Sequence, residues 1–210
     1  MSDAGTGTQK VADQEGGRSA FSEQYFPSTE GGRWKWRATT TIGDRTGPLK
    51  PTVLEDSFES RIAGHEQIDG VQCLRIEKAD RLGNVVQTEC IAIRPDGHYR
   101  YRMNQDRFVP PIKVLALPAK VGTSWKGSYT VQGIRISLSS KIDAEESITV
   151  AAGTFKTIRV SVDAGLLKTT TWYAPGVGVV KQSVDKAIQS QRDDLELEEF
   201  TPGESPTTPK

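Results

Sequence analysis

The sequence predicts an all-β fold of internally duplicated, antiparallel curved sheets, half-barrel or barrel-like, with little helix and disordered ends. Apolar and polar residues alternate with a period of two through most of the chain, as in half-buried strands. Clusters of Gly, Pro, Asn and Asp separate these segments at short intervals, as turns do. No stretch sustains the 3.6-residue repeat of a helix.

Both ends of the chain are predicted to be disordered tails. Residues 1–22 are rich in Gly, Ser, Thr, Gln and Asp and contain almost no large apolar side chains, and residues 201–210 read TPGESPTTPK. Such segments bury too little apolar surface to offset the conformational entropy lost on ordering.

Residues 23–116 are predicted to form the first β repeat. The stretch RWKWRATTTI places Trp34, Trp36 and Ile42 on one face of a strand and three basic residues on the other. The segments VLEDSFESRI, QCLRIEK and VQTECIAIR alternate in the same way. RPDG at 94–97 then predicts a turn, because proline presets φ and glycine tolerates unusual backbone angles.

Residues 117–200 are predicted to form the second β repeat. Its two most distinctive stretches are TVAAGTFKTIRV, at 149–160, and TTTWYAPGVGVVK, at 169–181. Each has the pattern of a strand, a turn of small residues and a second strand. DLELEEF is also predicted to be a strand, since Leu195 and Leu197 alternate with charged residues.

Three matches in the same order, at offsets of about 80 to 91 residues, predict that the second repeat duplicates the first. They pair 25–35 with 116–126, 61–78 with 141–161, and 91–102 with 172–183. The simpler alternative is that strand–turn–strand patterns resemble one another without common origin.

The two cysteines, Cys73 and Cys90, are predicted to form a disulfide. If opposite residues of the hairpin have numbers that sum to 163, the two thiols face each other across neighbouring strands. A disulfide would indicate an oxidising compartment such as the cell envelope. A register shifted by two residues would instead make the pair diagonal and remove the prediction.

Composition argues against several classes of function. Lys plus Arg equals Asp plus Glu, at 27 each, so no global charge favours nucleic acid. No apolar run reaches the ~18 residues of a transmembrane segment. The two histidines, His65 and His98, lack the spacing of metal ligands. No nucleophile elbow or phosphate-binding loop is present, so we expect no enzyme activity, no metal and no cofactor.

The two distinctive stretches of the second repeat are predicted to serve the construction of the fold. Gly153 permits a tight turn or bulge before a strand that begins near Phe155. Pro175 and Gly176 build a hairpin turn, and Gly178 allows close packing. Trp172 and Tyr173 are predicted to lie on opposite faces of one strand.

These stretches resemble a widespread bacterial family of envelope proteins described as TapB-like or as domains of unknown function. The resemblance covers residues 117–185. The matching residues are Pro118, Gly122, Trp125, Ala152, Gly153, Thr154, Phe155, Trp172, Tyr173, Ala174, Pro175, Gly176, Gly178, Val180 and Lys181. The resemblance implies a curved antiparallel sheet, kinship with half-barrel periplasmic carriers, and secretion. The family has no established activity.

The expected location is therefore the periplasm or cell envelope, from the resemblance alone. The chain as given starts at MSDAG and has no apolar stretch of the kind a signal peptide needs, so the cytoplasm stays open as an alternative.

Two functions from different classes fit these observations. The first is a non-catalytic envelope protein that binds a lipid or other apolar ligand on a curved sheet, with Trp34, Trp36, Trp125, Trp172 and Tyr173 as candidate ligand-binding residues. The alternative role of each tryptophan is to fill the core. The second function is a protein–protein interaction or scaffold module that binds an envelope partner by surface patches or strand addition.

Overall fold

The computed structural model describes residues 25–43 and 50–203, which form twelve β-strands and no helix. The predicted tail 1–22 and residues 204–210 of the predicted tail 201–210 lie outside the described residues. The strands are β1 (Arg33–Ile42), β2 (Thr52–Ile68), β3 (Val71–Ala79), β4 (Val85–Arg94), β5 (Gly97–Met103), β6 (Asp106–Ala116), β7 (Ser124–Val131), β8 (Ile134–Val150), β9 (Gly153–Asp163), β10 (Leu167–Ala174), β11 (Gly178–Lys186) and β12 (Gln191–Thr201).

The strands form a closed barrel in which each strand pairs with its neighbours in sequence and β1 also pairs with β12. The all-β prediction is confirmed, whereas the half-barrel alternative is wrong because pairing of β1 with β12 leaves no open end of the sheet. The two predicted repeats contribute β1–β6 and β7–β12 to this single barrel. Their duplication stays a prediction.

Alternation along β1 shows how the barrel separates its two faces. Trp34 and Trp36 are buried, whereas Arg33, Lys35 and Arg37 between and beside them are exposed. The outward basic residues meet carboxylates of the neighbouring strands, as Arg33 does with Glu59 on β2 and Lys35 with Glu199 on β12. The larger apolar side chains therefore face inward, as the period-two pattern predicted.

One end of the barrel is closed by packed side chains. Phe26, in the segment that precedes β1, packs against the rings of Trp34 and His98 at centroid distances of 5.8 and 6.2 Å. The indole of Trp34 donates a hydrogen bond of 2.7 Å to the carbonyl of Val177, in the turn between β10 and β11. We call this end, where β1 begins, the closed end, and the opposite end, where β1 finishes, the open end.

The hairpin of β2 and β3 extends beyond the sheet and packs against the outer face of β4 to β6. Pairing of β3 with β4 stops at Leu74 and Ile91, but β2 and β3 stay paired as far as Ile68 and Val71. In the part of the hairpin that extends beyond its pairing with β4, Glu66 accepts a hydrogen bond of 2.7 Å from Arg102 of β5. A second, smaller core forms there from Ile68, Cys73, Cys90, Ala92 and Tyr101.

The predicted register of the cysteines is wrong by two residues. Cys90 lies opposite Arg75, and Leu74 lies opposite Ile91, so the paired numbers sum to 165 and Cys73 is diagonal to Cys90. Both cysteines are buried free thiols, and the predicted disulfide is not formed. Burial raises the pKa of Cys90 to about 11, which keeps the thiol protonated and unreactive.

The hairpin of β8 and β9 also extends beyond the sheet, at the closed end of the barrel. Its turn holds Gly153 at a φ of +132°, and the amide of Ala152 donates to the carbonyl of Leu197 on β12 at 3.2 Å. Gly176 and Gly178, in the β10–β11 turn after Pro175, also have positive φ angles, of 75° and 90°. The backbone at these three glycines therefore lies in the region of positive φ that favours glycine.

The junction of the two halves is the least paired part of the barrel. Between the described residues of β6 and β7 a single ladder pair is present, Val109 with Thr130. Pro110 and Pro111 follow directly and have no amide hydrogen to donate. The indole of Trp125 donates to the carbonyl of Lys113 across this seam at 3.0 Å, a side-chain substitute for a ladder bond.

Candidate functional site: the barrel lumen

The inward-facing side chains change from buried to accessible along the barrel axis. On β1, Trp34 and Trp36 are buried, Ala38 and Thr40 are half-buried, and Ile42 is exposed. Other strands show the same order from the closed end: Ile62, Phe58 and Leu54 on β2; Ile142, Leu138 and Ile134 on β8; Val160 and Val162 on β9; Tyr173, Thr169 and Leu167 on β10; Leu197, Leu195 and Asp193 on β12. The interior is therefore a cup, packed at the closed end and accessible from the open end.

The number of strands is large for a barrel whose interior is closed by side chains alone. Eight strands enclose a space that side chains just fill, and the diameter of a barrel grows roughly in proportion to strand number. This barrel has twelve strands, and its aromatic cluster lies at the closed end. Farther along the axis the inward-facing side chains are half-buried.

The middle of the lumen holds an ion pair between Glu89 of β4 and Arg100 of β5. Both side chains face inward, and yet about a quarter of the Arg100 side chain, 27%, stays accessible. Tyr173 of β10 and Tyr129 of β7 lie near Arg100 on other parts of the wall, and its positive charge opposes the rise in pKa that burial causes in both tyrosines. Burial raises the pKa of Tyr173 to about 12, so this hydroxyl stays neutral.

Three inward-facing carboxylates have cationic partners. Glu89 pairs with Arg100, Asp193 with Lys186 at 2.6 Å, and Asp56 with Arg81 at 3.0 Å. These pairs neutralise the wall locally.

Lys78 of β3 is an inward-facing cation that lacks such a partner. Its ammonium lies 3.5 Å from the ring centroid of Phe58, a cation–π geometry. Among the residues that the structure describes, no carboxylate lies within ion-pairing distance of it. Asp56 and Asp193 act on it from farther away, and burial lowers its pKa.

The opposite part of the wall is apolar. Ile136 and Leu138 of β8 and Val162 of β9 are half-buried and face inward with Tyr129. By register Tyr129 lies opposite Ile136, and Val162 lies opposite Ser140. The Ser140 hydroxyl is buried and has no hydrogen-bond partner among the described residues. The lumen therefore combines a charged wall on β3 to β5 with an apolar wall on β7 to β9.

Exposed large apolar side chains gather around the open end. Eleven of the twelve residues in this class lie on loops or strand ends at or near that end, and Val121 is the exception. The eleven are Ile42, Val53, Leu54, Leu82, Val85, Val86, Val109, Ile134, Leu166, Leu167 and Ile188. We call this set the apolar rim.

A shallower concavity lies on the outer surface below the β3–β4 turn. It encloses about 220 Å³ and is lined by Arg33, Glu59, Arg61 and Glu77, among others. These four side chains pair with one another, Arg33 with Glu59 and Arg61 with Glu77, both at 2.9 Å. The charges are therefore already satisfied within the protein.

The structure places four of the five predicted ligand-binding residues inside the barrel. Trp34 and Trp36 are packed at the closed end, and Trp36 stacks on Phe58, which also contacts Lys78. Trp125 lies beside Ser140 by register, and Tyr173 faces Arg100.

Trp172 is the exception, because it lies on the outer face. Its indole donates to Glu146 at 2.7 Å, and its strand neighbours by register are Arg159 and Lys181. The prediction that Trp172 and Tyr173 lie on opposite faces is consistent with these contacts, whereas the assignment of Trp172 to the concave side is wrong.

Sequence reasoning missed the charged residues of the lumen. Lys78 has the same parity as Leu74 and Ile76, and Arg100 has the same parity as His98. A charged residue at an apolar-face position is a signal that could have identified them. The irregular pairing of β5 obscured it, because register shifts occur on both sides of Arg100.

Within the described ranges no group of three or more His, Cys, Asp or Glu residues has the geometry of a metal site. A search of the same residues for a helix long and apolar enough to cross a membrane found none.

No family model and no curated protein matches the chain. Among solved structures, a "putative lipoprotein" from Parabacteroides distasonis matches with a TM-score of 0.49 and 14% identity, over 85% of this chain and 99% of that one. A "putative exported protein with YmcC-like fold" from Bacteroides fragilis matches with a TM-score of 0.48, 14% identity and the same coverage. A DUF1329 family protein from Desulfovibrio piger matches with a TM-score of 0.35 and 8% identity, over 83% of this chain and 86% of that one. Similarity at this level supports no inference about function.

Proposed function

We propose that this protein is a non-catalytic cell-envelope carrier that binds a lipid or other apolar ligand in the lumen of its barrel. The envelope location is part of the proposal and depends on the resemblance of the AGTF and WYAPGVG stretches to envelope proteins. The observation that supports the binding function is the change from buried to accessible side chains along the inward-facing positions of six strands.

The apolar rim supports entry of an apolar ligand from the open end. Clusters of exposed apolar side chains mark binding sites on soluble proteins, whereas single ones are ordinary. The rim residues come from several separate loops and strand ends, so they lie around the mouth of the cup. An apolar ligand that passes this mouth meets Leu54, Leu138 and Val162 on the inner wall.

A scaffold function is the alternative, and the seam between β6 and β7 is the observation that favours it. With one ladder pair between the described residues of these strands, backbone groups of both remain for strand addition by a partner. Val109 beside the seam is 60% exposed.

Native mass spectrometry of protein purified gently from its own host is the first test. We expect an additional mass that is lost on denaturation and identified as a lipid or other apolar molecule. Recovery of the bare chain together with a stoichiometric protein partner would instead support the scaffold alternative.

A titration with the neutral fluorescent probe N-phenyl-1-naphthylamine tests the location of the site. We expect Val162→Trp, which fills the lumen, to weaken probe binding by about tenfold, since apolar contact worth ~1–3 kcal/mol is lost. Lys156→Trp, at an exposed position in the part of β9 that extends beyond its pairing with β10, is the control and should leave binding unchanged. Equal binding by both variants would place the probe outside the lumen.

A further inference from the structure

We propose that Lys78 binds the anionic group of an amphipathic ligand whose aliphatic part lies on the apolar wall of β7 to β9. This inference rests on the proposed carrier function and specifies the class of ligand: a single-chain amphiphile with one carboxylate or phosphate group. A purely apolar ligand would leave the ammonium of Lys78 without an anionic partner.

The pairing of charges inside the barrel singles out Lys78. Glu89, Asp193 and Asp56 each have a cation of their own, at Arg100, Lys186 and Arg81. Lys78 has the face of the Phe58 ring on one side and no ion-pair partner among the described residues. A half-buried ammonium in this setting favours an anion, because opposite charges attract more strongly where water is partly excluded.

The position of Lys78 fits an amphiphile that enters through the open end. Lys78 lies opposite Ser60 on β2 and Gln87 on β4, both half-buried, so the wall carries polar side chains on both neighbouring strands at this level. On the other side of the lumen, Ile136, Leu138 and Val162 present aliphatic surface. An amphiphile bound between them would place its charge on β3 and its chain on β8 and β9.

Displacement of N-phenyl-1-naphthylamine by ligands with the same twelve-carbon chain tests the proposal. The set is dodecanoate, dodecyl phosphate, dodecanol and dodecyltrimethylammonium. We expect the wild type to bind at least one of the two anions about tenfold more tightly than dodecanol, the difference typical of one charge-assisted hydrogen bond. Preference between dodecanoate and dodecyl phosphate identifies the anionic group.

Lys78→Met keeps the length and apolar stem of the side chain and should bring the anion to within about twofold of dodecanol, since one charge-assisted hydrogen bond is lost. Lys78→Arg should retain the preference for the anion. Lys168→Met, an outward-facing lysine paired with Asp163, is the control and should behave as the wild type. Thermal unfolding of each variant confirms that it is folded.

The outcomes distinguish failure of the carrier function from failure of the role proposed for Lys78. If none of the four compounds displaces the probe from the wild type, the carrier function fails and the role of Lys78 fails with it. If the anions bind no more tightly than dodecanol, or if Lys78→Met keeps the preference, the carrier function stands and the role of Lys78 is refuted.

Discussion

At the scale of single residues, His98 is a buried base whose ring finds no hydrogen-bond partner in the described part of the chain. The residue is 1% exposed, both ring nitrogens lack a partner among the described residues, and its ring contacts Phe26. Burial lowers the pKa of His98 from 6.5 to about 4, so the folded protein holds it neutral at pH 7. Protonation therefore opposes the packing that closes the barrel.

We expect the free energy of unfolding to fall as the pH decreases from about 6.5 to about 4, with His98 as a major cause. In this window the unfolded chain binds the proton and the folded protein does not, so stability is lost as pH falls. The shift corresponds to at most about 3 kcal/mol. Urea denaturation at pH 7, 5.5 and 4 measures it.

His98→Leu should remove this component of the pH dependence. Because neither ring nitrogen is hydrogen-bonded, the substitution should cost little at pH 7 and leave the variant more stable than the wild type near pH 4. His65→Gln, at the other histidine, which is exposed, should keep the wild-type profile. Parallel pH profiles for the wild type and His98→Leu would contradict the assignment.

At the scale of secondary-structure elements, Gly97 at the start of β5 shows how little space its turn leaves for a side chain. Its φ angle is +152°, and a Cβ atom there would lie 2.2 Å from the carbonyl oxygen of Leu115 on β6. That oxygen belongs to the backbone of a paired strand, so it can move only if the pairing of β5 with β6 is disturbed.

Gly97→Ala should therefore destabilise the protein by about 2–5 kcal/mol, the sum of a strained backbone angle and displaced neighbours. Gly70→Ala is the matched variant in another turn. Gly70 also has a positive φ, of 75°, but a Cβ atom there has nothing within 4 Å, so we expect about 1–2 kcal/mol. Equal losses of unfolding free energy in the two variants, measured by chemical denaturation, would show that the carbonyl of Leu115 moves aside at little cost.

The seam between β6 and β7 should be the fastest-exchanging part of the barrel. β7 pairs with β8 along its whole length, but one ladder pair joins β7 to β6. Every other amide of β7 therefore faces a partner that does not accept its hydrogen. In hydrogen–deuterium exchange, peptides from β7 should exchange about half their amides quickly, and peptides from β10, which is paired on both sides, should be protected.

The strands and turns also show which structural features the sequence is sufficient to predict and which it is not. The strand DLELEEF and the turn at RPDG follow from the sequence because alternation and turn residues are local signals. The register of β3 and β4 does not, since the β3–β4 turn leaves several residue pairings open and alternation cannot distinguish pairings that differ by two residues. A shift of two residues conserves the face of every side chain but changes each cross-strand partner.

Pairing irregularities also bear on the predicted duplication. β2 and β8 are both 17 residues long, and both carry a bulge, between Ile62 and Gly64 in β2 and between Ile142 and Ala144 in β8. The two bulges are separated by 80 residues, an offset that the sequence matches also gave. This correspondence favours duplication over chance resemblance of hairpins.

At the scale of the whole molecule, closure decides which residues form the site. Sequence parity identifies the two faces of each strand, but it cannot say which strands meet across a lumen. Tyr173 of β10 lies near Arg100 of β5, and the carboxylate of Asp193 on β12 acts on Lys78 of β3, only because the sheet closes. For this reason the sequence identifies the tryptophans as candidate apolar residues of the site, whereas it does not identify the charged wall.

The cup itself can be tested with two nearly isosteric substitutions on β9. Val160 and Val162 both face inward, but Val160 is 1% exposed, whereas Val162 is half-buried. We expect Val162→Cys to react with a small water-soluble maleimide in the folded protein and Val160→Cys to stay unmodified. The native Cys73 and Cys90 are fully buried, so the background should be negligible.

Ligand should protect the reactive position. If an apolar molecule occupies the lumen as we propose, dodecanoate or the probe should slow the modification of Val162→Cys. Modification of Lys156→Cys, at an exposed position beyond the pairing of β9 with β10, should be unchanged. Rapid modification of both Val160→Cys and Val162→Cys would mean that the barrel opens as a whole, and resistance of both would mean that the lumen is filled along its length. Only an order of reactivity that follows the barrel axis fits a cup with one open end.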